Sequence, residues 1–463
     1  MSSRSDRFSD EVISQFLRSR SADPEPGLLD DIVRGISATT QDRPWLGLGP
    51  FPLPRPTLLI VAAGLLLAMA GAIGIGSLLL RPDLLVTPLP TTPDAWERVL
   101  IETPQGSGSV ASVIAGPQKL LAVIQGGDRQ GAGDGPTRLA TSSDGRTWTL
   151  VPEEQHPPLG DTRGFGLPSV VGTDQGFLLV QSGAVWTSAD GSDWRRLAGT
   201  STDPDLSMGG PRVVAVGGPG LVAVGGDTAW YSEDGSDWSL AAVPPLPAEI
   251  LARPDEERYV DMRGITAAGG ELVAWGIAEV PLPGAGDEHL VLPLVWASHD
   301  GRTWTDVADP SMTSVSTVAG GPAGFIAAGQ LGPEPAAWFS ADGQAWERIV
   351  GDAFESRWPA GPNGLRLNGD PGDIPVELRL ASAAAAGAGY LVVGVDGFCG
   401  SSEGFCGSDE AVIWTSVDGR SWTRVPNDGR FEGGHAKAST AWGSRFVVGG
   451  EIDGMPAVWT SHP

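Results

Sequence analysis

The sequence predicts an all-β fold, a seven-bladed β-propeller with four strands per blade that is closed by its N-terminal strand. A transmembrane helix and short amphipathic helices are predicted to precede it. Three observations support this prediction: a hairpin motif that recurs, a matching half-motif where the repeats begin, and one long apolar run without charge. Glycine and proline are abundant, with 66 and 39 of 463 residues, which suits a chain rich in turns.

The hairpin motif reads S-x-D-G-x-x-W. An Asp-Gly pair between alternating segments is a strong signal for a β-hairpin, because both turn positions tolerate positive φ. Two short apolar strands precede each hairpin, for example Val110–Ala115 and Leu120–Gly126. Such a period indicates a repeat architecture. The copies are Ser142–Trp148, Ser188–Trp194, Ser232–Trp238, Ser298–Trp304, Ser340–Trp346 and Ser416–Trp422.

The two ends of the repeat region complement each other. The last unit stops shortly after Trp459 and lacks its Asp-Gly half. The missing half occurs upstream, where Ala95–Arg98 repeats the sequence of Ala345–Arg348. We therefore predict that the strand at Trp96 completes the last blade, which closes the ring and removes free sheet edges. The propeller domain is predicted to span residues 95–463.

The hairpins resemble the Asp-box, or BNR, repeats of sialidases and of related non-enzymatic propellers. The resemblance covers about residues 95–463 and rests on Ser142, Asp144, Gly145, Thr147 and Trp148 with their counterparts, with one residue fewer before the glycine. It implies that the aspartates are structural and bind backbone N–H groups within each turn. These aspartates are Asp144, Asp190, Asp234, Asp300, Asp342 and Asp418.

Loop lengths predict which rim of the propeller carries function. The links between first and second strands and the Asp-Gly turns are short and share one rim, here called the hairpin rim. The insertions fall on the opposite, long-loop rim, at 126–138, 152–168, 241–261, 277–294, 350–377, 395–411 and 426–435. Long loops on a rigid scaffold usually carry binding sites. Candidate ligand-face residues are Arg258, Tyr259, Asp261, His289, Arg357, Trp358 and Asp370.

Two classes of function stay open. The resemblance to sialidases implies three arginines, a Tyr–Glu nucleophile pair and an aspartic acid/base, and Tyr259 alone of three tyrosines falls in an insertion. The Phe-Arg-Ile-Pro element of that family is absent, so we assign no catalytic residue, metal or cofactor. We favour a non-enzymatic binding or scaffold module for a protein, a peptide or a glycan, with a sialidase-type exo-glycosidase as the alternative. A net charge of −26 excludes a basic nucleic-acid-binding protein.

The two cysteines, Cys399 and Cys406, fall in the same insertion. In an oxidising compartment they would close a small loop as a disulfide, and in a reducing compartment they would stay free thiols. The first outcome is expected if the propeller lies outside the cell.

Residues 57–80 predict one transmembrane helix, because the run carries no charge and its helical length of roughly 36 Å exceeds a bilayer core of about 30 Å. Seven arginines precede it within residues 1–56, so the positive-inside rule places the N-terminus in the cytoplasm and the propeller outside. Residues 81–94 are predicted to form a linker. A stripe of small residues along the span would support a homodimer, although transmembrane helices are generally rich in such residues. The stripe comprises Gly64, Ala68, Ala72 and Gly76.

The cytoplasmic tail is predicted to contain two short amphipathic helices, over residues 9–20 and 26–36, and a proline-rich linker over 37–56. Helices of this size bury little surface by themselves. We expect the tail to fold on a partner or to stay partly disordered, and signalling through it is one hypothesis.

Overall fold

The structure is a computed structural model. It describes residues 89–127, 135–159, 167–181, 184–197, 213–218, 220–235, 237–254, 257–282, 289–331, 334–350, 354, 377–387, 389–399 and 406–462. The predicted transmembrane and amphipathic helices, in residues 1–80, lie outside these ranges. Within the described residues, no helix has the length and apolar character needed to cross a bilayer.

Seven antiparallel sheets of four strands each confirm the predicted propeller. Blade one comprises β2 (Gly108–Ala115), β3 (Leu120–Gly126), β4 (Thr137–Ser142) and β5 (Thr149–Leu150). Blade two comprises β6 (Ser169–Thr173), β7 (Gly176–Gln181), β8 (Ala184–Ser188) and β9 (Arg195–Arg196). Blade three comprises β10 (Val213–Gly217), β11 (Gly220–Gly225), β12 (Thr228–Ser232) and β13 (Ser239–Leu240).

Blades four to six follow a short helix, α1 (Ala248–Leu251). Blade four comprises β14 (Tyr259–Ala268), β15 (Glu271–Pro281), β16 (His289–Ser298) and β17 (Thr305–Asp306). Blade five comprises β18 (Ser314–Gly321), β19 (Gly324–Leu331), β20 (Glu334–Ser340) and β21 (Glu347–Arg348). Blade six comprises β22 (Glu377–Ala386), β23 (Gly389–Cys399), β24 (Cys406–Ser416) and β25 (Thr423–Arg424).

Blade seven combines the two ends of the domain, as predicted. Its sheet contains β26 (Gly434–Trp442), β27 (Arg445–Ile452), β28 (Met455–Ser461) and, as the outer strand, β1 (Trp96–Leu100). The pairing continues beyond β1, where the N–H of Ile101 donates to the carbonyl of Pro456 at 2.8 Å. The first strand of each blade contacts the first strand of the next, and β26 contacts β2, so the ring is complete.

The core lies between neighbouring blades. One cluster, for example, joins Leu391 and Ile413 of blade six to Phe446 and Trp459 of blade seven, with Trp96 packed among them. Tryptophans of the third strands are mostly buried, and those after the turns are mostly half-buried. Burial of apolar side chains between neighbouring blades, with large aromatic side chains at most of these junctions, holds the ring together without a single central core.

Four of the six S-x-D-G turns, those of Asp144, Asp190, Asp300 and Asp418, show the same complete hydrogen-bond pattern. In the first copy the Ser142 hydroxyl accepts the N–H of Gly145 at 2.8 Å, and the Asp144 carboxylate accepts the N–H groups of Arg146 and Thr147 at 2.8 and 2.7 Å. The glycine has φ near +74°, which a residue with a Cβ adopts only with strain. The turn carboxylate is therefore held by its own hairpin.

Two insertions differ from the expectation of loops. Most of 277–294 extends β15 and β16, and part of 395–411 extends β23 and β24, whose last register pair is Cys399 with Cys406. Tyr259 likewise begins β14 instead of lying in a loop. Continued pairing satisfies backbone N–H and C=O groups that a loop would leave to water, and the segment His289–Leu294 keeps a strand-like alternation.

Candidate functional site

Blades four and six stand taller than their neighbours on the long-loop rim. Their three inner strands have 10 or 11 residues each, against 5 or 6 in blade three and 7 to 9 in blades five and seven. At about 3.3 Å per residue, three extra residues raise a strand end by roughly 10 Å, and the five extra residues of blade four over blade three raise it by roughly 16 Å. Blade five lies between these two projections in the ring.

The described ligand-face candidates all belong to the projecting end of blade four or precede it. Tyr259, 50% exposed, lies opposite Glu279, which in turn lies opposite Val291, 39% exposed. Directly paired residues of adjacent strands share a face, so these three side chains form one row across the blade. His289 is exposed and lies opposite Pro281. Arg357, Trp358 and Asp370 lie outside the described residues.

Arg258 has a local structural task. Its Nε donates to the carbonyl of Arg253 at 2.7 Å, and its Nη2 donates to the carbonyl of Leu251 at 2.9 Å. These carbonyls lie at the end of α1, where a helix leaves acceptors unpaired. The guanidinium thus fastens the approach to β14 and positions Tyr259, the next residue.

The other two tyrosines lie in strands, as predicted. Tyr390 in β23 is fully buried, and its hydroxyl donates to the carbonyl of Gly324 and accepts the N–H of Ala323, both at 3.0 Å. Burial raises the pKa of this phenol, against the lowering effect of the two backbone groups. Tyr231 lies in β12, where the guanidinium of Arg302 sits 4.8 Å from its ring centroid.

A channel of about 680 Å³ runs along the centre of the ring. It is lined by the first strands of all seven blades, β2, β6, β10, β14, β18, β22 and β26, with Trp275 of β15 at one side. Cavities of this size suit small organic ligands. The sequence did not predict this channel as a site, because the strands that build it carry no motif.

Five of the first strands contain a β-bulge at the same level of the channel. The ladder skips one residue in each of β2, β14, β18, β22 and β26. A bulge re-aims the side chain of the extra residue, and all five extra residues line the channel. They are Ala111, Arg263, Ser316, Ala381 and Lys437. Aligning the first strands by their flanking apolar residues would have revealed this position.

The two cations at bulges each have one acidic neighbour. Arg263 Nε lies 3.5 Å from Asp261 Oδ2, and Lys437 Nζ lies 3.2 Å from Glu451 Oε1. His435 Nδ1 also contacts Glu451, at 3.1 Å. Burial of Glu451 opposes ionisation, but the hydrogen bond from His435 and the charge of Lys437 outweigh it, so the pKa of this carboxyl is lowered.

The channel does not assemble the residues that the sialidase alternative requires. Within its described lining, the only titratable side chains are Arg263 and Lys437, and the remaining lining residues are uncharged. A carboxylate acid/base pair and a three-arginine cluster are therefore not formed by these lining residues. Across the described residues, no group of three His, Cys, Asp or Glu side chains is arranged to hold a metal ion.

A second charged group lies within blade six, and its two carboxylates are buried. Arg424 Nη2 contacts Asp396 at 3.0 Å and Glu410 at 3.5 Å, and the Asp396 side chain has no exposed surface. The guanidinium lies 5.6 Å from the ring centroid of Trp414. Since a ligand cannot reach these carboxylates, the group holds the extended strands β23, β24 and β25 together.

The chain matches no protein-family model and no curated protein. Similar solved structures include a Trypanosoma rangeli sialidase with the inhibitor DANA, at 12% identity and TM-score 0.37, covering 79% of this chain and 57% of that one. The Neurospora crassa Pan2 WD40 domain is similar at 9% identity and TM-score 0.41, covering 81% and 98%. A Bacteroides ovatus glycosyl hydrolase is similar at 11% identity and TM-score 0.30, covering 77% and 84%. At such low identity the likeness says nothing about activity.

Proposed function

We propose that this chain is a membrane-anchored, extracytoplasmic β-propeller that binds a protein, a peptide or a glycan on its long-loop rim and catalyses no reaction. The observation that carries the proposal is the projecting end of blade four, with Tyr259 and Val291 exposed in one row. The opposite face of the same strands packs into the core through Val260, Leu290 and Leu292.

This row has the character of a binding surface. Tyrosine supplies a large contact area with few rotatable bonds and is enriched at interfaces. A sheet of three paired strands holds the side chains in fixed positions, so little entropy is lost when a partner binds. The half-buried Glu279 between Tyr259 and Val291 adds a hydrogen-bond acceptor at the centre of the row.

Localisation rests on the sequence and on one backbone relationship. The apolar run 57–80 with its arginine-rich N-terminal flank supports an anchor with the propeller outside. Cys399 and Cys406 are Cα partners at the end of β23 and β24, a position that supports a cross-strand disulfide. Mass mapping of the exported protein tests this directly: a peptide linked through both cysteines is expected, and two alkylated thiols would contradict it.

We also infer that the six S-x-D-G turns are Asp-boxes with a structural role. The inference is supported by the first turn, in which the backbone N–H groups of Arg146 and Thr147 donate to the carboxylate of Asp144. The same bonds reach Asp300 and Asp418 from the two residues that follow each Gly. On this basis the turns brace the hairpin rim and leave ligand binding to the opposite rim.

The binding role is tested by chemical crosslinking and affinity recovery of the full chain from its native membrane. Recovery of the crosslinked partner should fall in the double variant Tyr259→Ala/Val291→Ser. The matched control is Val417→Ser, because Val417 is 63% exposed and lies in a turn of the opposite, hairpin rim. Equal recovery by the double variant and the control would contradict a partner on blade four.

The non-enzymatic part of the proposal needs its own assay. The purified protein should not hydrolyse fluorogenic sialosides. Turnover that is lost in Tyr259→Phe, a change that removes only the hydroxyl, would contradict the proposal and favour the exo-glycosidase alternative.

A further inference from the structure

We propose that the central channel binds a small organic dianion, with one acidic group held by Arg263 and the other by Lys437. This site is separate from the protein-binding row on blade four. The two cations, the bulges that deliver them and the uncharged remainder of the channel wall are the observations that carry the proposal.

The ring geometry separates the two cations. Arg263 belongs to blade four and Lys437 to blade seven, three steps apart around a ring of seven. No two blades of such a ring are further apart, so the cations lie on opposite sides of the channel. A single acidic group held by one of them would leave the other unused, whereas a molecule with an acidic group at each end engages both.

Both cations keep donors available for a ligand. The contact of Arg263 with Asp261 uses Nε, and a guanidinium carries five N–H donors. Within the described part of the chain, Lys437 pairs with one carboxylate, that of Glu451, although an ammonium carries three N–H donors. Their side chains are 43% and 39% exposed, so both are reachable from the channel. Asp261 and Glu451 fix the positions of the cations from outside the lining.

The rest of the wall suits the backbone of such a molecule. The rest of the lining combines serine and threonine hydroxyls with small and aliphatic side chains, and one pair from adjacent blades, Ser382 and Ser439, lies at 2.9 Å between oxygens. The described lining carries no carboxylate that would repel an anion. The two channel cations contrast with the acidic character of the chain, which has 56 Asp and Glu against 30 Lys and Arg. Lys437 is moreover one of only two lysines in the sequence, the other being Lys119.

A volume of about 680 Å³ is more than a single inorganic anion requires and falls in the range of small-molecule sites. Each bulge interrupts an otherwise regular ladder of hydrogen bonds and leaves one residue unpaired, and the side chain of that residue lines the channel. In blades one, five and six that side chain is small, which keeps the channel open between the two cations.

Calorimetric titration of the full chain in detergent tests the proposal with linear α,ω-dicarboxylates from succinate to suberate. The control ligands are monocarboxylates of the same carbon number. We expect saturable binding with an optimum at one chain length, and the optimal dianion should bind roughly tenfold or more tightly than its monoanion. Absence of saturable binding at every length, or equal affinity for the matched mono- and dianion, would overturn the proposal.

Three variants complete the test. Arg263→Gln and Lys437→Gln should each reduce dianion affinity to that of the matched monoanion. Arg348→Gln should leave it unchanged, because Arg348 lies in the outer strand of blade five. Thermal unfolding establishes that each variant is folded, and Tyr259→Ala should bind the dianion normally. Dianion binding that persists in both channel variants would show that the ligand sits elsewhere and would contradict the site.

Discussion

Arg98 lies directly opposite Trp459 in blade seven, although the two residues come from opposite ends of the propeller sequence. The pairing of Arg348 with Trp338 and of Arg424 with Trp414 shows the same register in blades five and six. The closing strand therefore occupies the position that the fourth strand has elsewhere. By pairing with β28, the strand β1 covers the outer edge of the third strand of blade seven, which would otherwise be unpaired.

Trp96→Ala should destabilise the protein by roughly 3–5 kcal/mol, because it removes a side chain that is only 1% exposed at the closure of the ring. Trp148→Ala is the matched control, since Trp148 has the equivalent place after a turn and is half-buried. Denaturant unfolding should show a clearly smaller loss for the control. Equal losses would contradict a special role for the closing strand.

Gly145→Ala should cost about 1 kcal/mol or more. Its φ of +74° is strained for alanine, and a Cβ would lie 3.0 Å from Thr460 Oγ1 of blade seven. Gly387→Ala serves as the control, because a Cβ there would meet nothing within 4 Å. The measurement is the thermal midpoint of both variants. A Gly145→Ala midpoint at or above that of Gly387→Ala would contradict the turn geometry.

Arg424→Gln should destabilise the fold by roughly 3–5 kcal/mol, because it removes the cation that contacts two buried carboxylates, Asp396 and Glu410. Arg420→Gln removes an exposed ion pair with Glu347 at 3.6 Å and a guanidinium that lies 3.7 Å from the ring centroid of Phe339, and it should cost only about 1–2 kcal/mol. The measurement is the urea midpoint of each variant, and the fall should be clearly larger for Arg424→Gln than for Arg420→Gln. If both changes are equally mild, the charged group of blade six is not the brace described above.

The lowered pKa values of the turn aspartates predict how the stability of the fold changes in acid. Partial burial opposes ionisation of Asp144, but the N–H groups of Thr147 and Arg146 and the hydroxyls of Ser142 and Thr147 outweigh it and lower its pKa to about 2. A lowered pKa in the folded state adds stability that is present above the ordinary value near 3.8 and is lost as the pH falls towards 2.

The difference in urea midpoint between the wild type and Asp144→Asn should therefore be larger at pH 7 than at pH 2. Asp190, Asp300, Asp342 and Asp418 also have a lowered pKa, so the whole domain should lose stability as the pH falls below their ordinary value of 3.8. A midpoint difference that stays constant across the range would show that the carboxylate charge of Asp144 contributes nothing.

The sequence predicted the ring because its signals are local and repeated. Asp-Gly pairs and turn glycines specify hairpins, and the duplicated Ala95–Arg98 segment specifies closure, so the number of blades follows from counting. The strand extensions of blades four and six were not predicted, because irregular insertions with Gly and Pro read as loops. Only tertiary pairing, such as Val280 with Leu290, shows that they continue the sheet.

The channel site escaped prediction for a different reason. Arg263 and Lys437 lie in short apolar strands without a motif, and a charged residue there reads as solvent-facing. Their inward direction depends on bulges, which arise from pairing between strands and not from the local sequence. Tyr259 was predicted as a ligand-face residue because it follows a charged segment in an insertion. Its position at the start of β14 was not predicted.

Hydrogen exchange of β1 tests the closed ring most directly, because the ring fixes the position of both rims and of the channel. In native protein the amide of Ile101, which donates to Pro456, and the paired amides of Trp96–Leu100 should exchange as slowly as those of β28. Exchange of the 96–101 segment at the rate of an unstructured peptide, with β28 still protected, would contradict the account.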